Sequence, residues 1–367
     1  MPEQSPFIPR LSRSLICVVG PTASGKSELA QQLALYLDGV VISADSMQVY
    51  RGMDIGTGKL PPSRRIVPHY GLDLVDPGES YSVSRFQDYA RHVAAEQDAR
   101  GKRVILCGGT GLYIRSVIDG YAYPEGGTDK EDNPVRAEYT ELLHRIGDQA
   151  LWERLREVDP ASAAVIHPHN SRRVIRAFEL LSKGGSYARQ KQNLKRIPQV
   201  VPALQIGIGV ERGALNARID RRVDAMMDAG LVQEVRRLLE SGFRTALTAP
   251  KAIGYREIVA ALDGECSLEQ AVEDIKVHTH RYAKRQRSWF GRDARIHWID
   301  GAHSGEAPGI PGNAEANDRG APAAVSKASE SLGLPNHGNL PALNGETPYM
   351  ASLVRRALAE LDTIDAQ

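Results

Sequence analysis

Leu15-Ile-Cys-Val-Val19 runs directly into Gly20-Pro-Thr-Ala-Ser-Gly-Lys-Ser27, a short apolar run closed by the phosphate-binding loop pattern. Each fixed position of that pattern answers a physical need. Gly20 and Gly25 let backbone N–H groups turn inward, Lys26 neutralises phosphate charge, and Ser27 can ligate Mg²⁺ at a helix N-terminus. Together with Pro21, Thr22, Ala23 and Ser24 they form a candidate cradle for a diphosphate or nucleotide. The context agrees: Leu15–Val19 has the make-up of a buried strand, and residues 28–37 place Leu29, Leu33 and Leu37 on one side of a helix. The loop leaves the reaction open, because kinases, NTPases and some group-transfer enzymes share it.

Outward from the loop, strands and helices alternate to about Gly120. A strand at 40–43 ends in Ala44-Asp45-Ser46, a helix covers 84–97, and a strand at 104–107 runs into Gly108-Gly109-Thr110-Gly111. This is the pattern of an α/β fold, a P-loop NTPase-like parallel sheet flanked by helices, whose ligand crevice lies at the carboxyl ends of the strands. Asp45, Thr110 and the loop at Gly20 all fall at such ends and should share one pocket. Residues 1–120 and 201–300 are assigned to this catalytic core. Residues 121–200 form a helical insertion domain, with a polar loop at 123–133, helices at 135–146, 150–157 and 171–181, and a basic stretch at 189–196. A strand at 204–210 and helices at 215–227, 232–241, 253–262 and 267–287 complete the core. Residues 301–350 hold eight Gly and six Pro, too little apolar content to fold, so 301–346 reads as a disordered linker. The stripe Met350, Leu353, Val354, Ala357, Leu358 and Leu361 then predicts a C-terminal helix over 347–367.

The composition narrows the function classes. With 367 residues, 42% hydrophobic and 25% charged, the chain is of the soluble globular type. No apolar run at the N-terminus is long enough for a membrane span or a signal-peptide core, so no membrane partner and a cytoplasmic location are expected. Cys17, Cys107 and Cys266 lie too far apart for a disulfide framework or a C-x-x-C metal site. His167/His169 and His278/His280 lack metal-ligand spacing and read as solvated or capping histidines. The net charge of +1 means that any RNA site must be local. One patch qualifies: residues 281–292 carry Arg281, Lys284, Arg285, Arg287 and Arg292, interleaved with Tyr282, Trp289 and Phe290. Basic groups hold phosphates and aromatic faces stack unpaired bases; a solvated helix face is the alternative.

Three further stretches carry a family resemblance. D-S-M-Q-V-Y-R-G-M-D-I-G-T-G-K from Asp45, G-G-T-G-L-Y-I from Gly108 and A-I-G-Y-R-E from Ala252, with the phosphate loop, resemble the signatures of bacterial tRNA dimethylallyltransferases. H-Y-G-L-D-L-V-D-P at His69, Y-S-V-S-R-F at Tyr81 and I-H-P-H-N-S-R-R-V-I-R-A-F-E at Ile166 support it, and the similarity runs from about Cys17 to Arg292. Gly58 stands where that family more often has Ala or Asn, a change expected to be tolerated. Residues 184–191 match poorly, and nothing after 300 has a recognisable counterpart.

The resemblance implies transfer of a dimethylallyl group from its diphosphate to the exocyclic amine of the adenosine 3′-adjacent to a tRNA anticodon, with Mg²⁺ as cofactor; a monomer is expected, though nothing in the sequence decides the oligomeric state. Departure of diphosphate needs charge neutralisation, which Lys26, the loop amides, Mg²⁺ on Ser27 and the pair Arg218 and Arg222 could supply. Asp45 is the candidate base for the amine proton, or alternatively binds Mg²⁺ through water. Thr110 either hydrogen-bonds the reacting groups or caps a helix. Arg218 and Arg222 either bind diphosphate or form a solvated face. The target base must be unstacked to reach the pocket, and the expected tRNA contacts are Asp45, Ser46, Met47 and Gln48, then Arg172, Arg173, Val174, Ile175 and Arg176, then Arg281, Lys284 and Arg285. The rival readings are a small-molecule kinase, which would use the same loop for ATP, a prenyltransferase acting on free adenine nucleotides, and a non-catalytic RNA-binding module.

Overall fold

The computed structural model describes residues 7–122, 133–194, 197–246, 248–301 and 348–365. They form two compact units, one spanning Asp119–Val200 and the other built from Phe7–Ile118 and Val201–Gln367. The proposed linker, the polar loop at 123–132 and the end of the basic stretch at 195–196 lie outside the described residues.

The larger unit is organised by one parallel sheet. Its strands are β1 (Leu15–Val19), β2 (Gly39–Ser43), β3 (His69–Tyr70), β4 (Arg103–Gly108), β5 (Ala203–Gly209) and β6 (Ile296–Asp300), ordered β3-β2-β4-β1-β5-β6. β1, β2 and β4 are buried at every position, as the continuous apolar runs of a sheet covered on both faces require. Register is regular: Ile16 faces Ile105 and Leu204, and Val19 faces Gly108 and Gly207. α1 (Lys26–Tyr36) starts at the phosphate loop, α2 (Val83–Ala99) precedes β4, and α3 (Gly111–Ile118) follows it. β3 and β6 were not anticipated, since β3 is two residues long and β6 is only partly buried at the edge of the sheet, whereas α3 is the helix expected to follow Thr110.

The smaller unit is helical, with α4 (Pro134–Val158), α5 (Pro160–Ala164), α6 (Ser171–Leu181) and α7 (Tyr187–Leu194). α4 breaks at Gly147, at φ 78°, which accounts for the two helical patterns in its sequence. Its core packs Leu151, Leu155, Ile166, Val174, Ile175 and Phe178, with Tyr139 stacked on Phe178 at 3.9 Å between ring centroids. Glu179, whose side chain is wholly buried, pairs with Arg136 at 2.6 Å and Arg176 at 2.9 Å.

The second half of the larger unit adds α8 (Arg212–Asp228), α9 (Leu231–Glu240), α10 (Tyr255–Leu262), α11 (Leu268–Phe290) and α12 (Pro348–Asp365). α12 is the expected terminal helix: Met350, Leu353, Val354, Ala357, Leu358 and Leu361 are all buried, and the helix packs on α1, β5 and β6. Tyr349 donates to the Gly301 carbonyl at 2.9 Å and Arg356 to that of Asp300 at 2.7 Å. No helix among the described residues is long and apolar enough to cross a membrane.

Candidate active site

β2, β4 and β1 are neighbours, so the residues that follow them meet at one edge of the sheet. A cavity of about 580 Å³ opens there. Thr22, Lys26 and Ser27 line it from the phosphate loop, Asp45, Ser46, Met47 and Gln48 from the turn after β2, Arg222 from α8, and Arg281, Tyr282, Arg285 and Gln286 from α11. The rest of the lining mixes apolar side chains, Leu60, Leu72, Ile219, Val223, Met226, Ile253 and Ile275, with polar ones that include His69, Lys251, Arg256, His278 and Thr279. Charged groups and apolar side chains in one cavity suit a ligand that is part anion and part hydrocarbon.

The charged groups are crowded. Burial pushes the pKa of Lys26 down, Cys107 and Asp45 oppose that, and Arg222 adds to it; an incoming anion would relieve the strain of two cations side by side. Arg222 is likewise desolvated, with Asp45 its counter-charge. Cys107, beneath the loop, is pushed up to about 11 by burial and stays a thiol. Burial, reinforced by the charge on Asp45, raises the pKa of Tyr282, whose neutral hydroxyl is hydrogen-bonded to Thr110 and Gln286.

The turn after β2 is held locally. Met47 N–H donates to Asp45 Oδ1 at 2.9 Å and Ser46 N–H to Thr110 Oγ1 at 3.1 Å, so Thr110 braces this turn. Gln48 accepts from Ser43 at 2.8 Å and donates to the Thr57 carbonyl at 3.3 Å. The facing loop at 54–59 is pinned by Glu234 of α9, 2% exposed, which accepts backbone N–H bonds from Asp54 at 3.1 Å, Ile55 at 2.8 Å and Gly56 at 3.2 Å and the Tyr255 hydroxyl at 2.6 Å. Lys59 bridges Asp54 and Asp73, each at 2.6 Å. A Cβ at Gly58 would stand 1.6 Å from Arg222 Nη2, and at φ 61° an alanine would strain the backbone as well as require the guanidinium to swing aside.

Most of the expected core residues converge, and some do not. Arg218 does not line the cavity: its guanidinium donates to the Gly301 carbonyl at 3.4 Å and lies over the Tyr349 ring at 5.7 Å, because one helical turn from Arg222 the α8 surface meets the terminal helix. Val174 and Ile175 are core residues of the smaller unit, 0% and 8% exposed, and so unable to offer side chains to RNA; Arg172 and Arg173 beside them are exposed. Arg176 is committed to Glu179. Lys284 is exposed and faces a second, basic groove with Arg212 and Arg287. The histidines of α11 are neither solvated nor caps: His278 pairs with Glu257 and His280 with Asp220, both at 2.8 Å.

Glu234 and Gln286 were not singled out from the sequence. Glu234 had a signal, since Leu231, Glu234, Val235 and Leu238 fall on one helix face and a carboxylate on an apolar stripe must be satisfied by something. For Mg²⁺, no group of three or more His, Cys, Asp or Glu able to hold a metal exists among the described residues. Ser27 and Asp45 nevertheless present oxygen donors to one cavity, which fits an ion that takes one or two protein oxygens and completes its shell with phosphates and water.

Comparison with known proteins bears on this arrangement. The family model described as IPP transferase matches residues 48–293, and a model described as isopentenyl transferase matches residues 13–66. The tRNA dimethylallyltransferase of Streptomyces griseus is 47% identical over 303 residues, 82% of this chain and 95% of that protein. That of Geobacter metallireducens is 46% identical over 290 residues, 78% of this chain and 92% of that one. Among solved structures, the tRNA isopentenylpyrophosphate transferase of Bacillus halodurans matches with TM-score 0.56 at 42% identity, over 78% of this chain and 90% of that one. A eukaryotic dimethylallyltransferase acting on tRNA matches with TM-score 0.66 at 29% identity, over 79% of this chain and 74% of that one.

Proposed function

The chain belongs to the IPP transferase family, and from that premise we propose that its cavity transfers a dimethylallyl group from dimethylallyl diphosphate to the exocyclic amine of the adenosine 3′-adjacent to the anticodon of tRNA. The observation that carries this reading is the shared cavity: a phosphate loop, a carboxylate and apolar side chains surround one space. The IPP transferase model matching residues 48–293 is what disfavours a small-molecule kinase built on the same loop.

Lys26, Arg222 and the loop amides hold the diphosphate, and the apolar side chains of α8 with Leu60 take the five-carbon tail. Mg²⁺, held by Ser27 and by phosphate oxygens, would neutralise further charge on the leaving group. The adenine amine is a weak nucleophile because its lone pair is delocalised. As its nitrogen bonds to the terminal allylic carbon, the carbon–oxygen bond to diphosphate breaks and the electron pair leaves on oxygen. Asp45 Oδ2 takes the amine proton, while Oδ1 stays on the Met47 amide. Thr110 and Gln48 orient the turn against which the unstacked base lies.

RNA is gripped by Arg281 and Arg285 at the cavity wall, by Lys284 in the adjoining groove, and by the exposed Arg172 and Arg173 on the smaller unit. A tRNA substrate and the lack of a membrane-crossing helix among the described residues are what support a cytoplasmic location. Incubation with bulk tRNA and dimethylallyl diphosphate, followed by nucleoside mass spectrometry, tests the proposal. A dimethylallyl adduct on adenosine next to the anticodon is expected. Prenylation of free AMP in preference to tRNA, or phosphoryl transfer from ATP to a small molecule, would replace this reading.

A further inference from the structure

Tyr282, Gln286 and Trp289 stand at spacings of four and three along α11 and so share one face. All three end on the short connection between β4 and α3. The Tyr282 hydroxyl meets Thr110, Gln286 Nε2 donates to the Gly109 carbonyl at 3.0 Å, and Trp289 covers Gly111. A Cβ at Gly109 would sit 2.1 Å from Gln286 Nε2 and one at Gly111 2.0 Å from Trp289 Nε1. These glycines are there to admit α11.

Gln286 reaches one step further than its neighbours. Its Oε1 accepts the Thr22 N–H at 2.8 Å, and Thr22 belongs to the phosphate loop. The residue is only 4% exposed, so water cannot substitute for either bond without repacking. One buried amide therefore spans two loops that meet at the diphosphate end of the cavity.

We propose that Gln286 is a positioning residue that presets the phosphate loop for diphosphate by fixing the Thr22 amide against Gly109. The proposal rests on the reading of this loop as a diphosphate cradle. A loop that populates its binding-competent shape only part of the time binds with an apparent Kd raised by the inverse of that fraction. Gln286 keeps that fraction near one. Because the same helix carries Arg281 and Arg285, it also gives the RNA side of the cavity a direct mechanical hold on the donor side.

The test uses the full chain with Gln286→Met, which keeps the side-chain length and removes the bonds to Thr22 and Gly109 together with the one to the Tyr282 hydroxyl. Calorimetric titration with inorganic diphosphate and Mg²⁺, and separately with tRNA, gives the two affinities. Diphosphate binding should weaken roughly five- to thirty-fold, the loss of one or two buried bonds, with tRNA affinity within about twofold of wild type. In turnover, the KM for dimethylallyl diphosphate should rise while kcat at saturation holds. Should Gln286→Met not fold, Gln286→Ala removes the same bonds and carries the same comparison. Diphosphate affinity within twofold of wild type overturns the proposal, as do equal losses for both ligands, the mark of a merely structural residue. A wild-type protein that binds no diphosphate overturns the cradle reading itself, and this inference with it.

Discussion

Replacing Asp45 by Asn removes a proton acceptor while leaving the shape of the turn intact. The amide oxygen can still accept from Met47 N–H, the 2.9 Å bond that sets the turn, so neither the fold nor the site of the base should move. The chemistry should suffer: general base catalysis contributes roughly 10²–10⁴-fold, or about 3–5 kcal/mol at 1.36 kcal/mol per decade. A second effect has the opposite character. Asp45 supports the charged forms of Lys26 and Arg222, both pushed down by burial, and the donor diphosphate supplies the same support once bound. Donor affinity should therefore change by only a few-fold. Single-turnover measurement on a preformed enzyme–tRNA complex separates the two, since it reads the transfer step alone. Titrating Mg²⁺ in the same assay distinguishes a base from a carboxylate that holds Mg²⁺ through water, because only the second would recover rate at high Mg²⁺. A single-turnover rate within a few-fold of wild type would refute the assignment of Asp45 as the base.

Four other outcomes are expected. Lys26→Ala should weaken dimethylallyl diphosphate far more than tRNA in direct binding, and comparable losses would deny the loop a diphosphate-specific role. Arg285→Ala should lower the slope of log Kd for tRNA against log salt by about one unit, the signature of one lost phosphate contact; an unchanged slope makes it a solvated residue. Leu358→Ala, at a position of α12 that is 1% exposed, should destabilise the larger unit by about 2–4 kcal/mol in denaturant unfolding with kcat/KM little changed. Glu179 governs an acid limit: burial works to raise its pKa, but the hydrogen bonds and charges of Arg136 and Arg176 outweigh this and hold it below the usual glutamate range. Its stabilisation is thus present above about pH 4.5 and lost as pH falls through the lower folded-state value. Glu179→Gln should flatten that part of the stability–pH curve, and an unaltered acid slope would show that the triad contributes nothing.

What could be read from the sequence was local. β1, β2 and β4 are uninterrupted apolar runs ending in glycine or small polar residues, and α6 and α12 carry unmistakable stripes, so their burial was written in their own periodicity. β6 was missed because an edge strand with buried, half-buried and exposed positions has no run to see. In the site, the phosphate loop and the turn at Asp45 were legible as motifs. Arg218 was misjudged because spacing of four puts two arginines on one face without saying what the end of the chain lays over the first of them. Val174 and Ile175 sat inside a basic motif whose arginines face outward and whose aliphatic residues build the core, a division that the helical period of α6 itself would have given.

The bond from Thr22 to Gln286 joins residues 264 positions apart, and β1 waits for β5 to close its second edge. At a translation speed of roughly 10 residues per second, the loop that names the fold is made about half a minute before the side chain that completes it. The nascent chain thus leaves the ribosome with its most recognisable motif present and its binding site unfinished. Chains aborted before α11 would lack the Thr22 tether together with Arg281 and Arg285, so incomplete products would have little means of competing for the substrates of the finished enzyme.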